Sequence, residues 1–551
     1  MKRVILVILI ITLSASISNS EDIFSQSRIS GNFQFDGQLY QKDSIIGAEE
    51  VDEKFLSNSY LYLHYSLGNF NAGMRYESYQ NPMLGFDPRY EGQGLAYRFF
   101  EFNSDIIDVT AGNFYEQFGS GMILRAYEDR QLGYDNAFDG MRIRFRPTDG
   151  VELKGLIGKQ RQFWTEGKGI VRGGDISINV TDIFTDIFSY STNLSIGASV
   201  VSKFQEDISA MYILPENVLA WAGRMALIGD GYSVDAEYVY KNNDPSATNG
   251  MSYNIGKAFL LNSSIFGKGY SFSLNFHRDD NMDFRSDRNS QGNVLQINYL
   301  PPLTKQNSYR LTTIYPYATQ PGGEVGLQAD FIYTFPRNSY LGGRYGTTLS
   351  LNYSRIHNLD TTHIDEFTYD SPFFSIGERL YFQDINLEIL KKWDKNLKTV
   401  FSIMNTVYDK DIMENEGVPH YGKVYATAAI VDITYSLTTT NSVRLELQHL
   451  WATQDSTLHV ADNINGNWAM ALVEYTIAPQ WFFNIMDEYN YGNEFEDLQL
   501  HYISASVTYV HHSTRVAFGY GRQRGGILCV GGVCREVPAS NGFTLSLSSS
   551  F

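Results

Sequence analysis

The sequence predicts an all-β protein, a single large antiparallel transmembrane β-barrel. Three observations predict it. In the final segment, Phe543, Leu545, Leu547 and Phe551 share one parity, while Thr544, Ser546, Ser548 and Ser550 share the other. Such a period of two is a strand with one apolar and one polar face. Similar alternation runs the length of the chain, uninterrupted by a helical stretch or a linker. The composition is also unusual: 38 tyrosines, 35 phenylalanines and 47 glycines against only 14 prolines, in a chain that is hydrophilic on average. A helical membrane protein needs apolar runs of ~20 residues, whereas a barrel strand needs only every second residue apolar.

The N-terminus is expected to be a secretory signal peptide over residues 1–20. Lys2 and Arg3 form the positive region, Val4 to Ile11 the apolar run, and Ser14, Ala15, Ser16, Ser18 and Ser20 the small-residue tail. No cysteine follows it, so a lipoprotein anchor is not expected. The barrel then occupies residues 21–551.

In the first strand Ile29, Gly31, Phe33, Phe35, Gly37 and Leu39 face one way, and Ser30, Asn32, Gln34, Asp36 and Gln38 the other. Further on, Leu61, Leu63 and Tyr65 share a face, and Val443, Leu445 and Leu447 alternate with Arg444, Glu446 and Gln448. Short connections near 66–69, 103–106, 147–150, 229–231, 393–396, 437–441, 478–480 and 510–513 alternate with longer ones at 42–56, 80–93, 115–138, 206–216, 279–291, 357–375, 409–418, 454–466 and 492–498. That alternation is the pattern of periplasmic turns and external loops. It predicts about 26 strands (range 22–26) with both termini periplasmic, roughly 20 residues for each ~10-residue span and its connection. The first strand is expected to begin near Arg28, so no globular N-terminal plug is expected. Trp481, Phe482 and Phe483, following a turn, sit where an aromatic girdle meets headgroups. The terminal strand with Phe543, Leu545, Leu547 and Phe551 resembles the signal read by the outer-membrane barrel assembly machinery.

Residues Gly112–Arg146 are the richest in charge and glycine. They contain the third external loop, 115–138, whose position resembles the constriction loop of general porins. The strand after it points Met141, Ile143 and Phe145 outward and Arg142, Arg144 and Arg146 into the lumen. Glu116, Arg125, Glu128, Asp129, Arg130, Asp135 and Asp139 complete a candidate constriction, with an acidic loop facing a basic wall. The alternative is a salt-bridged loop that fills the lumen or stays outside it.

Cys529-Val530-Gly531-Gly532-Val533-Cys534 reads as a hairpin tip. Gly-Gly suits a two-residue turn with positive φ. It sets Cys529 opposite Cys534 in a pair close enough for a disulfide, free thiols being the alternative.

No catalytic constellation stands out. His363 with Asp365 and Glu366, and His511 with His512, are proximities expected by chance among 10 histidines. Asp279-Asp280 with Asp283, and Glu494 with Glu496 and Asp497, lack calcium-loop order and read as solvated faces. The net charge of −18 argues against nucleic acid as a partner. Neither a cofactor, a metal nor an enzymatic activity is expected.

Gly112–Arg146, Tyr315-Pro316-Tyr317 before Glu324, and the Cys529–Cys534 tip together resemble an uncharacterised family of large outer-membrane barrels of Bacteroidetes-type bacteria. The resemblance implies fold and location and says nothing of a substrate. The resulting expectation is a barrel of the cell outer membrane, surrounded by lipid and lipopolysaccharide, acting as a porin-like channel for small polar solutes. The alternative is a non-conducting scaffold or accessory in secretion or surface assembly.

Overall fold

The computed structural model describes residues 27–184, 191–415, 417–455 and 462–551. The expected signal peptide lies outside the described residues. The described chain closes into a ring of 24 antiparallel strands, each paired with its neighbours in sequence. The ring starts at Arg28–Tyr40 and ends at Ser540–Ser550, and these two strands pair from Asn32 with Ser550 to Tyr40 with Gly542. Phe551 completes the seam. Its N–H donates to Gly31 O at 3.0 Å, and Gly31 N–H donates back to Phe551 O at 2.8 Å. The Phe551 ring lies over Gly31, where a Cβ would come within 2.4 Å of it. Deleting Phe551 removes both hydrogen bonds and the ring, whereas Phe551→Ser removes only the ring. We expect heat-modifiable barrel to fall severalfold on deletion and less in the serine variant; equal wild-type yields in both would show the seam forms without this residue.

Sequence parity maps directly onto the wall. In the strand Asn217–Gly229, Leu219, Trp221 and Met225 are exposed outside, while Val218, Ala220 and Ala222 are buried inside. The outer face carries two aromatic belts. On Lys423–Ser436, Tyr425 and Tyr435 are 45% and 44% exposed. The ~10 steps between them cover ~33 Å along the strand, or ~25 Å across a wall tilted by ~40°, the height of a barrel's apolar band. Trp221 against Tyr240 and Tyr520 against Phe543 belong to the belt near the long loops; Trp481 against Tyr509 belongs to the other.

The ring has 24 strands rather than about 26, inside the expected range. The main difference lies after residue 280. The loop expected at 279–291 extends through 281–322, and the ring gains no strand from it. Leu295 and Ile297 alternate with Gln296 and Asn298 as a strand would, but Leu295 has a φ of +56° and Ile297 is fully buried. Pro301, Pro302, Pro316 and Pro321 lack the N–H that a central strand must donate. The alternation of short and long connections also has exceptions. Phe163 and Trp164 alone join two strands at the long-loop end, and 336–346 is extended at the short-turn end.

Candidate lumen stopper

Three connections at the long-loop end turn into the lumen and meet there: 115–137, 281–322 and 524–539. Each is placed by a different kind of contact.

The first is sewn to the wall by charge. Glu116 is buried against the strands Phe138–Thr148 and Val151–Gln162. Its carboxylate lies 2.8 Å from Arg144, 3.5 Å from Arg142 and 3.3 Å from Lys154. Arg142 also pairs with Glu101 at 2.8 Å and donates to Tyr115 O at 3.0 Å. Arg146 pairs with Asp108 at 2.8 Å and Glu152 at 3.1 Å. The arginine ladder thus faces the lumen, and every rung has an acidic partner.

The other expected residues gather elsewhere. Asp135 is held by Arg161 at 2.6 Å and by Arg75. Both arginines also grip Glu77, at 2.7 and 2.6 Å, and Arg75 reaches Glu128 at 2.8 Å. Tyr115 donates its hydroxyl proton to Asp135 at 3.0 Å. Burial pushes the Asp135 carboxyl up, but the Arg161 and Arg75 guanidiniums, with the Ala137 N–H and Tyr115 O–H, outweigh it and hold it below the usual carboxylate range. Arg130 pairs with Glu128 at 2.7 Å and donates to Gln34 at 2.8 Å. Asp129 accepts the N–H groups of Gln131 and Leu132, closing a turn. Asp139 pairs with Arg98 at 3.1 Å. Arg125 stacks on Tyr299 and Tyr127, 4.0 and 4.5 Å from the ring centres. The expected residues therefore divide: Glu116 joins the arginine ladder, Glu128, Arg130 and Asp135 gather around Arg75 and Arg161, and Arg125, Asp129 and Asp139 belong to neither group. Those two arginines and Glu77 were missed: Arg75 and Glu77 alternate inward on Phe70–Gln80 as the ladder does, whereas Arg161 has the parity of the outward Ile157 and could not be found that way.

The second connection, 281–322, is the larger part of the stopper. Arg125 N–H donates to Ile297 O at 2.8 Å, Tyr299 N–H to Gly121 O at 2.9 Å, and the Asn136 amide to Gln296 O at 2.9 Å. Ile297 and Leu300 join Phe118, Met122, Ile123 and Leu124 in an apolar core against Val218, Ala220, Ala222, Val239 and Ala258 of the wall. Small inward side chains make the room. At Gly173 a Cβ would stand 2.8 Å from the Phe118 ring. Beyond Leu300 the loop crosses to another arc of the wall. There Leu311, Ile314, Tyr315 and Tyr317 pack with Phe382, Tyr408, Trp468 and Tyr502. Arg310 reaches the fully buried Glu488 at 2.5 Å.

The third is the cysteine hairpin. Cys529 and Cys534 are disulfide-bonded, with Cα atoms 4.1 Å apart and the expected register. Gly531 and Gly532 take φ of +57° and +78°, as the tight turn requires. The tip folds inward, where Gly531 O accepts the Tyr299 hydroxyl at 2.8 Å and Cys534 O accepts the Asn293 amide at 2.8 Å. Between the hairpin and the loop 281–322 lies a cavity of about 730 Å³ lined in part by Lys305, Arg310, Tyr315, Arg524 and Arg535.

Toward the short-turn end the inner wall is polar and half-exposed. Arg444 lies 3.0 Å from Asp432 and 3.7 Å from Glu474, and Asn484 donates to Ser506 at 2.8 Å. Of the other sequence candidates, His363, Glu366, His511 and His512 are exposed. Asp279, Asp280 and Asp283, read as a solvated face, are instead buried. The strand brings Asp279 to the inner face under the stopper, and the loop 358–379 covers Asp280 from outside through Tyr369, at 2.8 Å.

Among solved structures, a mutant of the ferric enterobactin receptor PfeA of Pseudomonas aeruginosa, in complex with enterobactin, is 10% identical, with a TM-score of 0.45 over 95% of this chain and 81% of that one. The siderophore receptor PirA of the same organism is 9% identical, with a TM-score of 0.40 over 95% and 80%. Pseudomonas aeruginosa OpdQ is 10% identical, with a TM-score of 0.33 over 85% and 98%. No curated protein matches the sequence. The family described as "Family of unknown function (DUF6029)" matches residues 1–551, and the chain belongs to it.

Proposed function

We propose that the protein is an outer-membrane barrel that forms a gated passage for small polar solutes and rests closed. In this reading residues 1–20 export it, the barrel assembly machinery inserts it, and its outer belt contacts lipid and lipopolysaccharide. The observation that carries the proposal is the contrast inside the lumen. A polar, half-exposed wall at one end meets a stopper built from the chain's own loops at the other. A barrel with nothing to pass gains little from lining half its interior with solvated charge.

The long loops face outward in this reading and both termini lie in the periplasm. Phe374, 93% exposed, is on a long loop; Tyr340, fully exposed, is at the short-turn end. With an impermeant maleimide, Phe374→Cys is expected to label on intact cells and Tyr340→Cys only after outer-membrane rupture. The reverse pattern would invert the topology.

The ladder is the expected selectivity element once the passage is open. Replacing Arg142, Arg144 and Arg146 by serine leaves Glu101, Asp108, Glu116 and Glu152 without these cations. Reversal potentials of an opened barrel should shift toward cation preference, and the shift should shrink in 1 M salt, where the Debye length is ~3 Å. Unchanged selectivity would put the determining charges elsewhere.

The two apolar cores favour a second reading, a permanently filled barrel used as a scaffold or accessory for secretion or surface assembly. Opening the stopper separates the two.

A further inference from the structure

His277, Asp279 and Glu324 form a cluster that the lumen reading leaves unused. His277 and Asp279 are inward neighbours on the strand Tyr270–Asp280, and Glu324 on Gly323–Phe335 is the direct cross-strand partner of Asp279. All three are buried, at 1%, 1% and 0% exposure. Like charges directly opposite on adjacent strands are destabilising, and more so out of water. Yet neither oxygen of Asp279 accepts a hydrogen bond from any described residue. No lysine or arginine among the described residues pairs with Asp279 or Glu324; the charged contacts of both run to His277, at 3.8 and 2.7 Å.

The remaining contacts orient donors toward one point. The His277 Nδ1 lies 3.2 Å from Pro301 O, a carbonyl that can only accept, and the ring so held points Nε2 at Glu324, 2.7 Å away. Glu324 is fixed by the Gln320 N–H at 2.8 Å and by the Tyr317 hydroxyl. One donor atom from each side chain lies within 4.8 Å of the others. Groups that orient ligands in this way are the usual surroundings of a metal.

We propose that His277, Asp279 and Glu324 bind a divalent transition-metal cation of the Zn²⁺ or Mn²⁺ type. One imidazole and two carboxylates suit such ions, whose ligand distances are ~2.0–2.2 Å. The cation supplies Asp279 with the partner it lacks. Because Pro301, Tyr317 and Gln320 belong to the stopper, the ion clips the loop 281–322 to the wall. The site stands independently of whether the barrel conducts.

The test uses full-length protein folded in detergent, stripped with a chelator, equilibrated with Zn²⁺ or Mn²⁺ alone, dialysed, and counted by elemental mass spectrometry. About one ion per chain is expected for wild type and less than about a tenth for Asp279→Asn and for Glu324→Gln. Tyr317→Phe should keep the ion with ~10–100-fold weaker affinity. Absence of bound ion in folded wild type, or an undiminished ion in both carboxylate variants, overturns the proposal. Should those variants fail the heat-modifiability check, X-ray absorption of the loaded wild type decides. One nitrogen with oxygens supports the site; an all-oxygen or sulfur shell refutes it.

Discussion

Replacing residues 286–318 by a short Gly-Ser linker should turn a silent barrel into a large, stable pore. This segment supplies Ile297 and Leu300 to one interior core and Leu311, Ile314, Tyr315 and Tyr317 to the other. Barrels of 16–18 strands already leave an aqueous channel, so a ring of 24 strands relieved of the larger part of its stopper should conduct at least roughly tenfold more than the intact protein. The measurement is single-channel conductance in planar bilayers, after heat-modifiability shows that the ring has closed. A correctly folded variant that still passes no current would reject the gated passage and leave the scaffold. A wild type that already conducts as well as the variant would show that the stopper does not close the lumen.

Cutting the charge cluster should free the loop 115–137 while leaving the ring intact. Asp135 answers Arg75 and Arg161 together, and both arginines are buried. Removing one partner of an isolated buried ion pair costs about 3–5 kcal/mol, and less here because Glu77 and Glu128 keep Arg75 and Arg161 paired when Asp135 is lost, and Arg75 keeps Asp135 paired when Arg161 is lost. Asp135→Asn and Arg161→Met should therefore raise local opening by about tenfold, seen as tryptic nicking near Arg125 and Arg130. The wall strands should stay protected. Wild-type nicking rates in both variants would mean that the apolar core alone holds the loop.

The same cluster sets a pH dependence. Asp135 titrates below its unfolded value, so its contribution is complete above the ordinary carboxylate range and is lost as pH falls through the lowered value. Loop protection at pH 5 should match that at pH 7 and fail only in stronger acid, with pepsin as the protease there. In Asp135→Asn this particular acid dependence should be gone.

Much of the wall was legible because a strand's side-chain period is two and one side of this wall meets an apolar belt. Leu219, Trp221 and Met225 declare the outside by chemistry alone, and Met141, Ile143 and Phe145 do the same for the arginine ladder. The cysteine hairpin was legible for a local reason, since Gly531-Gly532 imposes the turn that sets Cys529 opposite Cys534.

The stopper was not legible by that rule. Leu295 and Ile297 alternate like a wall strand, yet they bury themselves inside the lumen, because an interior core satisfies the same apolar residues that a bilayer would. Period-two patterning states that a face is apolar and not what covers it. The acids were harder still. Glu116, Glu128 and Asp135 look alike in a charged loop, and only the fold decides that Glu116 meets Arg144 while Asp135 meets Arg161.

The sequence by itself determined the all-β barrel, the two-faced terminal strand and the cysteine hairpin, because each rests on local periodicity or turn chemistry. Only the tertiary structure decided the 24-strand closure, the inward course of 281–322 and the meeting of His277, Asp279 and Glu324. Those depend on which residues distant in the chain come to share one interior, and nearest-neighbour pattern does not encode that.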